Sequence, residues 1–385
     1  MRMTQLKTIA DIQTGPFGSQ LHKEDYVETG TPIVTVEHLG NRVFTEQNLP
    51  RVSDSDKARL IKYTLSTGDI VISRVGSVDR CSYVDKSHDG WMFSGRCLRV
   101  RPTELVDSLY LYYYFCLEET KQFVRNIAVG ATMPSINTKL LGEVEIALPD
   151  LNNQKRIAAV LSSLDDKIEN NQKLNDNLAD LLQTIYQGRF GNDILAVNQG
   201  VLSDICSYST DKVAVSELNV RTYFSTENML SGKAGSTEAT SLPTTSQTTA
   251  CHKGDTLISN IRPYFKKIVY CEDKCGCSTD VLCFTPSQPC YSAYLFSTLY
   301  ADKFFAFMVA GSKGTKMPRG DKQQIMTYPV VLPSEEELAG FNTIASPLLE
   351  QIYSNRAENK RLSILRDTLL PKLMSGEINV SAIQL

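Results

Sequence analysis

After Pro149, apolar and amide side chains recur at alternating spacings of four and three residues. The positions are Ile157, Leu161, Leu164, Ile168, Asn171, Asn175, Leu178, Leu182 and Ile185. This is a heptad seam, in which the a and d positions face one partner helix. The pattern predicts a continuous helix from about Asn152 to Gln187, with a length of about 50 Å at about 1.5 Å per residue.

A second seam of the same form lies near the other end of the chain. Its positions are Phe341, Ala345, Leu348, Ile352, Asn355, Asn359, Leu362, Arg366 and Leu369. Pro347 lies inside this seam, and we expect it to break or start the helix, since proline suits a first turn and not an interior. Both seams carry two central asparagines, and a buried asparagine that needs a partner fixes the register of a helix pair. We therefore predict that the helices pair with each other; the alternative is two amphipathic helices, each packed on its own globule.

The regions outside the seams are predicted to be mixed α/β globules. The alternation over 69–73, after Gly68, is typical of a short strand. A helix is predicted near Ser108 to Asn126, with a counterpart at about Ala293 to Val309. The side chains of the first of these helices that are expected to pack in the core are Leu109, Tyr113, Cys116 and Phe123. We interpret the aromatic run 110–115 as core packing of that helix; the alternative is base stacking.

The chain contains an internal repeat with an offset of 184 residues over long stretches. The matched segments are 98–102 with 282–286, 130–134 with 314–318, and 148–149 with 332–333, and the offset drifts upstream, where 68–73 matches 254–259. A duplicated chain suggests pseudo-twofold symmetry, which makes the two long helices antiparallel. The predicted fold class is α+β, with two duplicated mixed α/β domains separated by two long antiparallel coiled-coil helices. The predicted divisions are 1–150, 151–190, 191–334 and 335–385, the last including a C-terminal tail.

Composition and charge narrow the possible functions. The formal net charge of -3 counts against a DNA-binding protein, unless basic residues are concentrated on one face or partner proteins supply the phosphate contacts. No apolar run approaches the roughly 20 residues that cross a bilayer. The N-terminus does not resemble a signal peptide, so we expect a cytoplasmic protein with no membrane contact.

The sequence lacks the motifs expected of an enzyme. It contains neither an Asn/Asp-Pro-Pro-aromatic methyltransferase motif nor a glycine-rich cofactor loop, and 311–316 lacks the spacing of a phosphate-binding loop. The four histidines are scattered. Cysteines 271, 275, 277, 283 and 290 contain no Cys-x2-Cys pair, so reduced, structural cysteines are favoured over zinc. We predict a non-catalytic protein without metal or cofactor.

The remaining chemistry is that of binding. Base recognition in the major groove requires Arg, Lys, Asn or Gln on a rigid edge. Loop candidates are Lys23, Arg74 and Arg80 in the first copy and Asn260, Arg262, Lys266 and Lys267 in the second. A basic segment is a candidate for gripping phosphates, and it contains Lys313, Lys316, Arg319 and Lys322. Candidates for pairing the helices are Leu161, Ile168, Asn171, Asn175, Leu178, Ile352, Asn355, Asn359 and Leu362. The alternative for each charge is plain solvation.

The order of three features resembles a known family, the specificity subunits of type I restriction–modification systems. The stretch 12–19 resembles the start of a target recognition domain, and Gly-Asp followed by an apolar strand and Ser recurs in mid-domain. The Gly-Thr-Lys-Met-Pro-Arg stretch at 314–319 precedes 330–333 and a long helix, while 154–157 opens the first long helix. The resemblance covers essentially the whole chain.

The resemblance implies a function and partners. Each target recognition domain would read one half of a split sequence in double-stranded DNA. The helices would act as a spacer and dock methyltransferase (modification) subunits, and restriction (translocase–nuclease) subunits would complete the enzyme. The second helix departs from the first at Pro347 and at the acidic residues 335–337, where the first copy has Lys155 and Arg156. The alternative function is a scaffold that binds proteins or small ligands.

Overall fold

The structure is a computed structural model that describes residues 2–16, 20–191 and 199–380. Contacts divide the chain into two compact units. The first unit contains Met1–Glu169 and Asn359–Leu385, and the second contains Asn170–Glu358. Each unit therefore includes one part of each long helix. Residues 17–19 of the stretch that carried the resemblance, and tail residues 381–385, lie outside the described residues.

The first copy of the repeat consists of short strands and helices followed by a long helix, which continues into the second unit. In chain order these are β1 (Arg2–Gln5), β2 (Ala10–Thr14), β3 (Tyr26–Val27), β4 (Thr31–Val34), β5 (Arg51–Val52), α1 (Asp54–Arg59), β6 (Ile70–Ser73), β7 (Cys81–Tyr83), β8 (Met92–Phe93), β9 (Cys97–Pro102), α2 (Ser108–Cys116), α3 (Glu118–Ile127), α4 (Thr138–Gly142), β10 (Glu145–Leu148) and α5 (Leu151–Phe190).

The second copy has a similar succession, and its long helix continues into the first unit. Its elements are β11 (Gln199–Val201), α6 (Leu202–Ile205), β12 (Cys206–Tyr208), β13 (Lys212–Ala214), β14 (Tyr223–Phe224), β15 (Gln247–Cys251), β16 (Thr256–Ser259), β17 (Ile268–Tyr270), β18 (Cys275–Cys277), β19 (Val281–Pro286), α7 (Ser292–Tyr300), α8 (Asp302–Ala310), α9 (Lys322–Ile325), β20 (Pro329–Val331) and α10 (Glu335–Ser375).

The duplication extends to the strand order of one of the two four-stranded sheets. One four-stranded sheet has the order β2-β9-β6-β7 in the first unit and β12-β19-β16-β17 in the second. Another has the order β3-β5-β4-β8 and β13-β15-β18-β14, and in both cases the last pair of related strands, β4 with β8 and β14 with β18, is parallel. The pairs β1–β10 and β11–β20 close each unit. The first sheet therefore has the same order in both copies. The second sheet does not, because β5 pairs with β4, whereas β15 pairs with β18, the counterpart of β8 in chain order.

The central strand of each unit is buried on both faces. In β6, Ile70 and Ile72 pack against the helices, while Val71 joins a second apolar cluster on the opposite face. In β16, Ile258 and Leu257 divide between two clusters in the same way. Alternate residues of a strand point to opposite faces, so a strand between two layers is apolar throughout. This burial fixes the loops that follow β6 and β16.

The helix predicted near Ser108 to Asn126 is two helices. The chain breaks at Leu117, whose ψ is 133°, and at the matching Ala301, whose ψ is 140°. The prediction that Phe123 packs in the core is wrong, because Phe123 is 44% exposed and Val124 is buried in its place. The break turns α3, so its buried face no longer continues that of α2. The aromatic run of α2 is buried except at the half-buried Tyr114, as the core-packing interpretation predicted.

Both long helices begin at a polar cap. The Asp150 carboxylate accepts a hydrogen bond of 2.9 Å from the backbone N–H of Asn153 at the start of α5. At the start of α10, the Ser334 hydroxyl accepts from the N–H of Glu337, and the Glu337 carboxylate accepts from the N–H of Ser334 at 2.8 Å. This reciprocal arrangement is a capping box. The acidic residues 335–337 also suit the positive end of the helix dipole.

The expectation that Pro347 breaks or starts a helix is wrong. Helix α10 is continuous from Glu335 to Ser375. Proline cannot donate a hydrogen bond to the carbonyl four residues earlier, here that of Thr343. Both Thr343 and Pro347 are exposed, so water can satisfy that carbonyl. Ala345 and Leu349 are buried on the opposite side, and their packing maintains the helix.

Within the first unit, parts of α5 and α10 run antiparallel. The Asn359 amide donates a hydrogen bond of 3.1 Å to the Ile168 carbonyl, and the Arg366 guanidinium lies 2.7 Å from the Asp165 carboxylate. Earlier residues of α5 thus meet later residues of α10. Ile157 and Leu161 of the seam are buried.

Within the second unit, the remaining parts of the two helices are also antiparallel. The Asn355 amide donates to the Asn175 side-chain carbonyl at 2.9 Å, and the Asn171 amide donates to the Glu358 carboxylate at 2.7 Å. Tyr186 lies further along α5, in ring contact with the earlier residue Phe341 of α10. The predicted fold class, two duplicated mixed domains with two long antiparallel helices, is confirmed.

Candidate nucleic-acid interface

Two loops meet in each unit at the end of the buried central strand. In the first unit the β6 loop (74–80) meets the α3 loop (129–135), where the N–H of Gly76 donates to the Pro134 carbonyl at 2.9 Å. In the second unit the β16 loop (260–267) meets the α8 loop (311–319), where the N–H of Arg262 donates to the Pro318 carbonyl at 2.8 Å. Each pair of loops is called a loop platform below. The same main-chain contact holds both platforms together.

Backbone conformation is conserved between the platforms although the residue type is not. Gly76 has a φ of 75°, and Arg262 at the matching position has a φ of 51°. Lys266 also has a φ of 51°. A left-handed conformation costs a non-glycine residue about 1–2 kcal/mol. The β16 loop therefore retains two unfavourable residues that surrounding contacts must hold in place.

The structure places two of the three candidates of the first copy in its platform. Arg74 is half-buried and donates to the Gly95 carbonyl at 3.1 Å, and Arg80 donates to the Leu39 carbonyl. Both guanidinium groups therefore brace main chain. Lys23 belongs to a separate short 3-10 helix, Lys23–Asp25, and its side chain lies outside the described residues.

The candidates of the β16 loop differ in exposure. Asn260 is only 8% exposed, so its amide does not form a surface edge. Lys266 pairs with Asp302 at 2.9 Å, and hydrogen bonds from Lys233 and Lys266 lower the pKa of that carboxyl. Lys267 donates to the Thr226 carbonyl at 2.6 Å, and burial lowers the pKa of its ammonium.

The α8 loop and its flank present most of the exposed positive charge of the platform. Lys313 pairs with Asp321 at 2.6 Å, and its hydrogen bond lowers the pKa of that carboxyl. Arg319 pairs with Asp280 at 2.9 Å. Lys316 and Lys322 are exposed. The charges predicted to grip phosphates thus lie at the surface, and two of them are oriented by carboxylates.

Charge is distributed unevenly between the copies. Residues 260–267 and 311–322 contain seven Lys and Arg residues and one acidic residue. The matching segments 74–80 and 127–138 contain two Arg residues and one Asp. The acidic net charge of the chain therefore coexists with a basic platform in the second unit. Phosphate binding depends on such local concentration.

Sequence reasoning missed the exposed apolar residues of the platforms. Tyr264 is 49% exposed, Phe265 39% and Met317 50%. In the first unit, Met133 at the position matching Met317 is 59% exposed. The sequence feature that could have indicated two of these residues is the run 263–265, a proline and two aromatics between basic residues. Its exposure depends on tertiary contacts that periodicity does not reveal.

The cysteines gather in the core of the second unit. Five of them lie in one buried cluster, and these are Cys251, Cys271, Cys275, Cys277 and Cys283. Cys290, grouped with four of them on spacing alone, is exposed. Among the described residues, no group of three or more His, Cys, Asp or Glu side chains is arranged to hold a metal ion. In the same part of the chain, no helix is both long and apolar enough to cross a membrane.

The candidate helix-pairing residues follow the seam. Four of them are asparagines: Asn171, Asn175 and Asn355 are buried, while Asn359 is half-buried. The apolar candidates are buried at Leu161 and Ile352 and half-buried at Ile168, Leu178 and Leu362.

Comparison with known proteins shows related sequences. Residues 1–179 match the family model of the type I restriction modification DNA specificity domain. The MjaIX type I restriction enzyme specificity subunit of Methanocaldococcus jannaschii is 25% identical over 339 residues, which cover 72% of this chain and 71% of the relative. The HindI specificity subunit of Haemophilus influenzae is 26% identical over 158 residues, 40% of this chain and 34% of the relative.

A solved structure shares the fold. The crystal structure of a type I restriction–modification system S subunit from M. genitalium matches with a TM-score of 0.61 and 18% identity. The match covers 97% of this chain and 95% of that chain. Residues 1–179 are thus similar in sequence to the type I restriction modification DNA specificity domain, and the chain shares the fold of a solved type I restriction–modification S subunit.

Proposed function

We propose that this chain is the non-catalytic subunit that gives a type I restriction–modification complex its DNA sequence specificity. The observation that carries the proposal is the basic loop platform of the second unit, within a chain whose residues 1–179 are similar to the DNA specificity domain. Residues 260–267 and 311–322 concentrate positive charge on two loops joined by main-chain hydrogen bonds. Rigid loops with Arg and Lys side chains suit both phosphate contact and base recognition.

Each copy would read one half of a bipartite target in double-stranded DNA. We assign the recognition domains to 1–150 and 191–334 and the spacers to 151–190 and 335–385. The platforms share a backbone arrangement but differ in side chains: Arg74 and Gly76 in the first unit correspond to Asn260 and Arg262 in the second. Different side chains on one scaffold would select different bases, so the two half-sites would differ in sequence.

The long helices would set the distance between the half-sites. Helices of 40 and 41 residues have lengths of about 60 Å. One turn of DNA spans about 34 Å, so such helices are long enough to separate two sites by more than a turn. The asparagine pair Asn175–Asn355 would keep the helices in one register.

The helices would also dock the catalytic partners. Large apolar side chains are exposed on α5 and α10, among them Leu174, Leu181, Ile364 and Leu365. We propose that methyltransferase subunits cover part of this surface, with restriction (translocase–nuclease) subunits joining the complex. Methylation and cleavage would belong to those partners.

A domain exchange tests the assignment of the half-sites. Residues 1–150 are replaced by the corresponding domain of another specificity subunit, and methylated motifs are mapped in cells that also contain the modification subunits. We expect one half of the motif to change and the other half to stay the same. A motif that changes in both halves, or in neither, contradicts the assignment.

A helix insertion tests the spacer. Seven residues are inserted into each long helix, so that both heptad seams keep their register. The helices lengthen by about 10 Å, and the unspecified gap in the motif should widen by about three base pairs. A widened gap with unchanged half-sites supports the proposal, whereas an unchanged gap contradicts it.

Salt dependence separates this function from a scaffold that binds proteins or small ligands. The assembled complex should lose DNA affinity steeply as salt rises, because phosphate contacts release condensed counterions. A flat response would favour the scaffold.

A further inference from the structure

We propose that Tyr264 and Phe265 insert into the DNA duplex and determine the base preference of the half-site read by the second unit. The proposal rests on the proposed function and deepens it. Insertion of these rings at a base step would make the aromatic pair a specificity determinant that acts by stacking and deformation. The charged candidates would instead act by hydrogen bonding.

The two rings are exposed on a rigid carrier. Three main-chain hydrogen bonds anchor the β16 loop: from Arg262 to the Pro318 carbonyl, from Gly232 to the Phe265 carbonyl and from Lys233 to the Lys266 carbonyl, at 2.8, 2.8 and 2.9 Å. Between the left-handed residues Arg262 and Lys266, the chain forms one 3-10 turn, Pro263–Phe265. Strained backbone persists where the surroundings overdetermine it, and such places are often functional.

A third exposed apolar side chain, Met317, lies on the adjoining α8 loop, and Tyr264, Phe265 and Met317 are called the apolar tip below. The ring centroids of Tyr264 and Phe265 are 4.8 Å apart. Met317 is exposed on the α8 loop, next to Pro318, which accepts the hydrogen bond from Arg262. Large apolar side chains held at the surface are costly in water, and this cost is recovered when a partner covers them.

The charge around the apolar tip indicates that the partner is nucleic acid. Lys316 and Arg319 are exposed on the same loop as Met317, and Lys313 extends this basic stretch. Lys266 immediately follows the two rings. Apolar wedges flanked by basic side chains are how proteins unstack a base step while gripping the adjacent phosphates. A protein partner would not require this concentration of positive charge.

The β6 loop, which matches the β16 loop, has no counterpart of the aromatic wedge formed by Tyr264 and Phe265. Gly76 and Ser77 occupy the positions that match Arg262 and Pro263, and the β6 loop is one residue shorter between Ser73 and Arg80 than the β16 loop between Ser259 and Lys267. The β6 loop contains no aromatic residue. The two half-sites would therefore be read by different physical means.

A wedge selects steps that unstack easily. Pyrimidine–purine steps such as TA and CA deform at the lowest cost. We therefore expect such a step in the half-site of the second unit. Loss of the wedge should relax the preference there and leave the other half-site unchanged.

The test uses the specificity chain assembled with its modification subunits. Methylome sequencing of cells containing the wild-type complex first gives the motif, and a duplex with that motif is the binding probe. With Tyr264→Ala and Phe265→Ala together, we expect about tenfold weaker binding, since stacking is worth about 1–3 kcal/mol per base. The methylated motif should become degenerate at one step of one half-site. 2-Aminopurine placed at that step should report unstacking with wild type and not with the variant.

Matched controls isolate the wedge. Phe123→Ala removes an equally exposed aromatic of the first unit that lies outside the loop platforms, and it should not change the motif. Tyr264→Phe should retain it, because stacking does not need the hydroxyl. If the wild-type complex yields no split motif, the proposed function fails. If the wild type yields a split motif and the double variant yields the same motif, the insertion of Tyr264 and Phe265 is overturned while the proposed function stands. The same conclusion holds if the double variant weakens only the assembly of the subunits.

Discussion

The two units place different chemistry at the same position between globule and helix pair. In the first unit, the Asp165 carboxylate accepts a hydrogen bond of 2.6 Å from the Tyr113 hydroxyl and pairs with Arg366 at 2.7 Å. The residues 184 positions away in the repeat are Leu349, Leu182 and Ser297. All three are buried in the second unit, where Leu182 and Leu349 belong to its main apolar cluster.

The site where each globule meets the helix pair is called the junction. This difference shows that the fold constrains the shape of the side chains packed at the junction and not their polarity. A buried ion pair is favourable only when both partners are present, because desolvation offsets much of the attraction. Apolar residues fill a similar space without that penalty. One copy can therefore use an ionic group and the other leucines while the backbone stays the same.

A second difference between the units concerns the partners of the aspartate that immediately precedes the central strand. In the first unit, the Asp69 carboxylate receives hydrogen bonds of 2.7 and 2.6 Å from Arg101. Its counterpart Asp255 accepts from the Cys283 thiol at 3.2 Å and from the backbone N–H of His252 at 2.8 Å. Burial raises the pKa of Asp255. The carboxylate was retained in both copies, whereas its side-chain partner was not.

The largest expected effect comes from breaking the ionic junction. Arg366→Leu leaves the buried Asp165 carboxylate without its cation and should lower the free energy of unfolding of the first unit by about 3 kcal/mol. Adding Asp165→Leu and Tyr113→Phe converts the junction to the apolar type and should restore most of the loss. Urea denaturation of the three forms measures this. A triple variant no more stable than Arg366→Leu would contradict interchangeable chemistry.

The next effect concerns the amide pair of the second unit. Asn175→Leu leaves the buried Asn355 amide without its acceptor and should cost about 2 kcal/mol. Asn175→Leu with Asn355→Leu should recover stability, because neither amide is then buried unpaired. Thermal unfolding measures both variants. Equal stability of the single and double variants would show that the pair does not act as a unit.

A smaller effect compares two glycines of the repeated Gly-x-x-Met-Pro segment. Gly130 and Gly314 have φ angles of 111° and 104°, so alanine would cost either about 1 kcal/mol in backbone strain. A Cβ at Gly130 would lie 2.8 Å from the Met133 carbonyl oxygen, whereas at Gly314 the corresponding distance to Met317 is 3.4 Å. Gly130→Ala should therefore destabilise more than Gly314→Ala in urea denaturation, and the reverse order would contradict the geometry.

The smallest effect depends on pH. Because the pKa of Asp255 is raised in the folded state, the folded protein binds this proton more readily than the unfolded chain. Its contribution to stability is present below the unfolded pKa of about 4 and is lost as pH rises through the folded pKa. Asp255→Asn should flatten this part of the stability profile. His252 lies 3.8 Å from the carboxylate.

Unfolding measured from acid to neutral pH checks this expectation. The matched control is Asp69→Asn, which deprives Arg101 of its carboxylate and should destabilise the protein at neutral pH. If Asp255→Asn keeps the same pH profile as the wild type, the titration belongs to another group.

The sequence by itself determined the duplication, the two long helices and their asparagine layers. Each of these three features is visible in local periodicity or in matched segments of the chain, so none of them requires knowledge of distant contacts. The seam from Ile157 to Ile185 falls within α5, and the second seam falls within α10.

Only the tertiary structure decided the breaks at Leu117 and Ala301, the continuity of α10 through Pro347 and the exposure of Tyr264 and Phe265. Each depends on contacts between residues far apart in the chain. Packing of Ala345 and Leu349 offsets the missing hydrogen bond at Pro347, and anchoring from the Gly232 and Pro318 segments holds the aromatic loop at the surface. Periodicity records which side chains are apolar, but only the folded chain determines what covers them.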